Sequence, residues 1–141
     1  MDITAIQVAK RFLGIKEIEG QKDNPFVVWC LSTCGLDTSD ETPWCSAFIN
    51  AICFMLGLQR SNSAWARSWV DIGTPVPLEQ AKSGFDICIF QMGTGTQGHV
   101  GFYVGLHEED IMILGGNQSN SVSLKMYPKE ILLGVRRLLE E

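Results

Sequence analysis

The sequence predicts an α+β protein, with helices in the first half of the chain and an antiparallel β-sheet in the second. Up to Asp71, apolar residues recur at helical spacing between capping residues and glycines. After Gly73, short segments rich in β-forming residues alternate with links of hairpin length. The chain has 141 residues, of which 45% are hydrophobic. This is long enough to bury a core, and we expect a single domain over residues 1–141.

Two helices are predicted ahead of the centre of the fold. The first covers residues 3–13, where Thr4 and Gln7 fit a capping box. The second begins with Asn24 as its N-cap and Pro25 in its first turn. Both stretches stop at a glycine, which accepts the left-handed conformation that closes many helices. These caps predict two short helices in the first quarter of the chain.

A third helix, between Pro43 and Gly57, is predicted to be the centre of the core. Nearly every side chain of this stretch is apolar on all faces, which is typical of a helix buried on all sides. Cys45 falls at its N-terminal end, where unpaired N–H groups and the helix dipole favour the nucleophilic thiolate. The alternative is that Cys45 is an inert buried thiol, as most free cysteines are.

The second half of the chain is predicted to form a short helix and then strands. The helix, residues 64–71, carries Trp65 and Trp69, which either pack in the core or line a groove. The predicted strands are residues 85–90, 99–106, 111–114, 122–126 and 131–138. Gly115 and Gly116 are expected to break the third of them.

Charge and composition limit the partners and the compartment. The net charge of −5 argues against nucleic acid and against an anionic membrane surface. The start of the chain shows no signal peptide, and no apolar run is long enough for a transmembrane helix, so we expect synthesis in the cytosol without membrane insertion. The five cysteines are an odd number without metal-type spacing, and we expect free thiols.

A thiol nucleophile needs a base, and histidine suits this role near neutral pH. His99 follows a glycine-rich loop at the start of a predicted strand, whereas His107 lies in an acidic turn, so His99 is the stronger candidate. Antiparallel pairing of the next strand returns the chain beside His99 near residues 115–118. Asn117 is therefore predicted to orient the imidazole, with Gln118 as runner-up. The alternative is that Asn117 is a plain turn residue.

Motifs over nearly the whole chain are similar to those of a known family. They are residues 42–48 (TPWCSAF), 98–104 (GHVGFYV), 14–17 (GIKE), 63–69 (SAWARSW), 114–120 (LGGNQSN), 127–129 (YPK) and 133–137 (LGVRR). The chain resembles the NlpC/CHAP group of papain-like cysteine amidohydrolases, and in particular compact single-domain lysins of phages and prophages. The resemblance implies a papain-like fold and cleavage of peptide or amide bonds in peptidoglycan.

The resemblance also implies roles for individual residues. Cys45 is the implied nucleophile, His99 the general base and acid, and Asn117 the third residue. Many CHAP relatives carry a glutamate where this chain has Gly115 or Gly116. The Gly-Asp that usually precedes the first strand appears here as Phe85-Asp86, where Asp86 is expected to cap a strand turn. Some CHAP domains bind calcium just before the cysteine, and only Asp37, Asp40 and Glu41 partly match that pattern, so no metal or cofactor is expected.

The substrate groove and the biological role are predicted less directly. The predicted groove residues are Glu17, Glu41, Trp44, Trp65, Arg67 and Gln118, since charged and aromatic side chains can bind the charged peptide stems of peptidoglycan. The expected protein is a monomer that acts on the cell wall after release through membrane holes, or as a secreted antibacterial effector. The alternatives are an acyltransferase or deamidase acting on a protein, and a binding module in which Cys45 is inert.

Overall fold

A computed structural model describes residues 3–18, 23–38 and 43–141. Within these ranges, three α-helices precede a six-stranded antiparallel sheet, which confirms the predicted fold class. The α-helices are α1 (Ala5–Lys10), α2 (Pro25–Ser32) and α3 (Cys45–Leu56), and the strands are β1 (Thr74–Val76), β2 (Asp86–Gln91), β3 (Gly98–His107), β4 (Asp110–Gln118), β5 (Ser121–Pro128) and β6 (Leu132–Arg137). Short 3-10 helices cover Ala66–Asp71, Leu78–Gln80 and Lys129–Ile131.

The caps predicted for the first two helices are present. The Thr4 hydroxyl accepts from the N–H of Gln7, and the Gln7 side chain accepts from the N–H of Thr4, so the capping box of α1 is complete. The Asn24 side chain accepts from the N–H groups of Phe26 and Val27 at the start of α2. Both helices are shorter than predicted, because their last residues form turns instead of a further helical turn.

Helix α3 forms the centre of the core, as predicted. It begins at Cys45 and ends before Gly57, which has a φ of 67°. Its first nine residues are buried, and Phe48 makes an edge contact with Phe102 of β3, with the ring centroids 6.4 Å apart. The last turn emerges from the core, since Phe54 is 58% exposed. No helix within the described ranges is long and apolar enough to cross a bilayer.

The strands pair in the order β1-β6-β2-β3-β4-β5, and each neighbouring pair is antiparallel. Asp86 at the start of β2 is fully buried and forms two short contacts with the Arg137 guanidinium of β6, at 2.7 and 2.8 Å. The N–H of Lys82 also donates to this carboxylate, so Asp86 caps the turn before β2. Sequence analysis missed β1 because Pro75 lies within this three-residue strand and Pro77 follows it, and two prolines so close together indicate a turn.

Strand β4 does not stop at Gly115 and Gly116, which corrects the predicted break. It continues to Gln118, and its register with β5 shifts between Gly115 and Gln118. A Cβ on Gly116 would lie 2.7 Å from the Trp44 ring and 2.9 Å from Cβ of Phe48. The missing side chain therefore allows β4 to pass directly against the start of α3, which brings the two elements together at one cleft.

Candidate active site

An open cleft of about 540 Å³ lies where the N-terminus of α3 meets β3, β4 and β5. Its lining includes Cys45, Trp65, His99, Asn117, Lys125 and Tyr127. Two distant segments that the sequence suggested as a pair, at residues 45 and 99, therefore border the same space. His107 lies at the other end of β3 and is exposed.

Cys45 is the first residue of α3, and only 6% of it is exposed. Burial raises the pKa of its thiol, while the backbone N–H groups of Val100, Ser46 and Cys45 itself lower it. The helix terminus thus acts in the predicted direction, but burial has the larger effect and favours the thiol over the thiolate. The backbone N–H of Val100, which lowers this pKa, belongs to the residue after His99, so the sulfur lies close to the start of β3.

His99 is held by a hydrogen bond that defines its tautomer. Its Nε2 lies 2.9 Å from Oε1 of Gln118, and both side chains are buried. The Gln118 amide donates through Nε2 to the carbonyl oxygens of Ser123, at 2.7 Å, and Ile113, at 3.4 Å. Exchanging the amide oxygen and nitrogen would place Oε1 against these two carbonyl oxygens, and two acceptors cannot form a hydrogen bond. Oε1 must accept, so Nε2 of His99 carries the proton and Nδ1 keeps a free lone pair.

The imidazole also lies in a column of aromatic rings. Tyr127 stacks on His99 with ring centroids 5.0 Å apart, and Phe90 also stacks on Tyr127, at 4.9 Å. The Tyr127 hydroxyl donates to the same Oε1 of Gln118 at 3.2 Å. Stacking on Tyr127 therefore holds the plane of the His99 ring, and the hydrogen bond to Gln118 holds its edge.

Burial lowers the pKa of His99 to about 4, against the opposing effect of the hydrogen bond to Gln118, and the charge of Lys125 lowers it further. At neutral pH the imidazole is uncharged, as the thiol of Cys45 is. The arrangement is a neutral acid and a neutral base in one cleft, with a lone pair available to accept the thiol proton.

In the structure, Gln118, the runner-up from the sequence, hydrogen-bonds the ring of His99 in the place predicted for Asn117. Simple antiparallel counting from the pair Phe102 and Leu114 places residue 117 opposite His99. The strand is irregular there, with Asn117 at a φ of 58°, and a shift of one residue exchanges the two faces of a strand. Asn117 consequently lines the cleft, and Gln118 contacts the ring. Paired glycines inside a strand are the signal that indicates such a bulge.

Three of the predicted groove residues lie elsewhere. Trp44 is fully buried in the core, and its indole N–H donates to Oε2 of Glu17 at 3.1 Å. Glu17 lines a separate pocket of about 840 Å³ beside the turn at Ser119 and Asn120. Gln118 is only 1% exposed, so it holds the base and does not form a groove wall.

Two further predicted groove residues, Trp65 and Arg67, contact the glycine-rich loop before β3. Trp65 is 52% exposed, lines the cleft and donates from its indole N–H to the carbonyl of Thr96. Arg67 donates to the carbonyls of Gly95 and Gln97, so it holds this loop in place and does not line the cleft. Trp69, four residues after Trp65, is buried and donates to the hydroxyl of Ser46. Of the two interpretations of this pair, lining a groove therefore applies to Trp65 and packing in the core applies to Trp69.

Two cleft residues, Lys125 and Tyr127, were not singled out as site residues from the sequence. They lie two apart on β5, where alternate residues point to the same face, and the period-two pattern of this strand was the available signal. Glu41 and Asp40, predicted for the groove and for calcium, lie outside the described residues. In the part of the chain that the structure describes, no group of three or more His, Cys, Asp or Glu side chains has the arrangement of a metal site.

Solved structures with the same fold support the architecture. The chain matches the crystal structure of an NlpC/P60 family protein from Bacillus cereus ATCC 10987, at 20% identity with a TM-score of 0.56, over 95% of this chain and 39% of that one. It also matches NlpC1 from Trichomonas vaginalis, at 19% identity with a TM-score of 0.51, over 96% of this chain and 44% of that one. NlpC2 from the same organism matches at 17% identity with a TM-score of 0.50, over 96% and 46%.

The chain thus has the papain-like fold of NlpC/P60 proteins, as predicted. It spans less than half the length of each of these three proteins. Neither a protein-family model nor a curated protein matches the sequence.

Proposed function

We propose that the protein is a cysteine-dependent amidohydrolase that cleaves an amide bond in the peptide stems of bacterial peptidoglycan. The observation that carries the proposal is the buried contact between Nε2 of His99 and Oε1 of Gln118. This contact leaves Nδ1 as a base in the same cleft as the thiol of Cys45. The NlpC/P60 fold and the motifs shared with the NlpC/CHAP group support both the chemistry and the choice of substrate.

In the proposed reaction, Nδ1 of His99 accepts the thiol proton as the sulfur of Cys45 attacks the amide carbonyl. The backbone N–H at the start of α3 stabilises the oxyanion. The imidazolium then donates its proton to the departing amine, which leaves a thioester on Cys45. His99 next removes a proton from water, the hydroxide adds to the thioester, and the acid leaves as the thiol is restored.

Gln118 has a supporting role in both halves of this cycle. Its oxygen faces the ring N–H in the neutral and in the protonated state, so the same hydrogen bond stabilises the imidazolium that forms. A neutral amide stabilises this charge less than a carboxylate does. The Tyr127 hydroxyl, which donates to the same oxygen, keeps the amide in position during the cycle.

The proposed biological role is that of a lysin, which requires delivery to the wall by membrane holes or by a secretion system. Acyl transfer to a protein is the competing activity for the same thiol and base. It predicts a modified protein and no release of peptidoglycan fragments.

The experiment is mass spectrometry of fragments released from purified peptidoglycan by the wild-type protein and by Cys45→Ala. The matched control is Cys34→Ala, which removes a half-buried thiol outside the cleft. We expect fragments from the wild type and the control, and a loss of at least about 10³-fold in Cys45→Ala. The masses also identify which bond is cut. Undiminished release by Cys45→Ala would refute the thiol mechanism, and no release by the wild type would refute the substrate.

A further inference from the structure

Lys125 is the charged side chain of the cleft. It projects from β5 as an exposed residue, and its Nζ lies 5.5 Å from the centroid of the Tyr127 ring, which stacks on His99. No other Lys, Arg, Asp or Glu of the described ranges borders this cleft. No carboxylate in those ranges lies within ion-pair distance of Nζ, whereas Lys129, four residues further on, pairs with Glu109 at 3.3 Å.

This position opposes the proposed chemistry unless another charge is present. The reaction creates an imidazolium on His99, and a nearby cation disfavours that charge. Lys125 already lowers the pKa of the resting imidazole. Without a compensating anion, Lys125 therefore makes formation of the imidazolium less favourable. An anionic group on the substrate removes this cost, because it pairs with the ammonium while the imidazolium forms.

We propose that Lys125 forms a subsite for a carboxylate of the substrate next to the scissile amide. The inference rests on the proposed amidohydrolase function and specifies its substrate class, an acidic peptide with a free carboxylate and not its carboxamide. Tyr127 links the two groups, since its ring centroid lies 5.5 Å from the ammonium of Lys125 and 5.0 Å from the centroid of the His99 ring.

The test compares two synthetic stem peptides that differ only in a free carboxylate or a carboxamide on the residue beside the cleaved bond. We expect the wild type to cleave the carboxylate peptide with a kcat/KM about tenfold higher, the lower end of the range for a hydrogen bond to a charged group, because Lys125 is exposed to solvent. Lys125→Met abolishes this preference by slowing the carboxylate peptide, and Lys125→Arg retains it. Lys129→Met, which removes a cation outside the cleft, also retains it.

Two further readouts separate this inference from the proposed function. The pH profile of Lys125→Met on the carboxamide peptide shifts its acid limb to higher pH, because the cation that lowers the pKa of His99 is gone. Calorimetry with Cys45→Ala measures binding of both peptides without any turnover, and we expect tighter binding of the carboxylate peptide.

The outcomes are distinct. Cleavage of both peptides at equal rates, or an undiminished preference in Lys125→Met, overturns the carboxylate subsite and leaves the hydrolase intact. An equal loss of preference in Lys129→Met also overturns it, because the effect is then one of overall charge. Absence of cleavage by the wild type overturns the proposed function. Absence of a binding difference in Cys45→Ala then overturns the subsite as well.

Discussion

Replacing Gln118 by methionine tests the central geometry of the site. Methionine keeps the length and much of the volume of the side chain but has no amide. In the structure this amide accepts from His99 and Tyr127 and donates to the carbonyls of Ser123 and Ile113. The substitution therefore leaves several buried polar groups without a partner, at about 1–3 kcal/mol each.

The expected loss of stability is about 3–5 kcal/mol, because the contact to Ile113 is long, at 3.4 Å, and the half-buried segment at Ser123 gains some water. A domain of this size has a stability of about 5–15 kcal/mol, so Gln118→Met stays folded at low temperature. Urea denaturation of the wild type and the variant measures the difference in the free energy of unfolding. Circular dichroism before the activity assay checks that the variant is folded.

The expected loss of activity is larger than the loss of stability suggests. Without Oε1 as acceptor, the ring of His99 is free to carry its proton on Nδ1, where it cannot accept from the thiol. We expect kcat to fall about 10²–10³-fold, the range for a misplaced acid-base group. Nitrogen-15 NMR of labelled histidine measures the tautomer directly. We expect the wild-type spectrum to show a neutral ring protonated on Nε2, and the Gln118→Met spectrum to show a mixture of tautomers.

Asn117→Gly is the matched control for this experiment. Glycine accepts the φ of 58° at this position, so the backbone is retained while the side chain is removed. We expect kcat within about threefold of the wild type, with any effect in KM because the side chain lines the cleft. The reasoning is refuted if Asn117→Gly loses as much kcat as Gln118→Met. It is equally refuted if the neutral wild-type ring carries its proton on Nδ1.

Two more predictions concern packing and pH. Gly116→Ala places a Cβ 2.7 Å from the Trp44 ring and should lower the free energy of unfolding by about 1–3 kcal/mol, whereas Gly134→Ala, with nothing within 4 Å, should not lower it; equal melting temperatures of the two variants would contradict this. The pKa of His99 is lowered to about 4 in the folded state, against about 6.5 in the unfolded state. The contribution of the neutral ring to the free energy of unfolding is therefore fully present above pH 6.5. It is lost as pH falls towards 4, by up to about 3 kcal/mol, and the difference in urea midpoint between the wild type and His99→Gln should shrink over that window.

Local signals predict most of the helical half correctly. The capping box of Thr4 and Gln7, the Asn24 cap and the apolar run after Cys45 each act within a few residues, and the structure reproduces all three. Burial of α3 also follows from composition, because a helix without a polar face has no side to turn to water. The exception is its last turn at Phe54, where the sequence stays apolar although the helix has left the core.

Interactions between distant segments limit the prediction of the site. Pairing of Cys45 with His99 could be inferred because only two histidines exist and one follows a flexible loop. The choice between Asn117 and Gln118 depends on one bulge, and a bulge in β4 is stabilised by β5 and by the close approach of α3. No single-strand pattern contains that information, so counting along an ideal ladder selects the wrong neighbour.

Burial also decides a point that helix geometry alone leaves open. A thiol at a helix N-terminus suggests a thiolate paired with an imidazolium. In this cleft both groups are almost fully enclosed, and the neighbouring ammonium of Lys125 further disfavours a charged ring. Both pKa shifts therefore favour the neutral pair, and in the proposed reaction the ion pair forms only as Cys45 attacks the substrate. In the proposed mechanism, a substrate carboxylate beside Lys125 would favour this step, so that binding of an acidic peptide would also promote activation of Cys45.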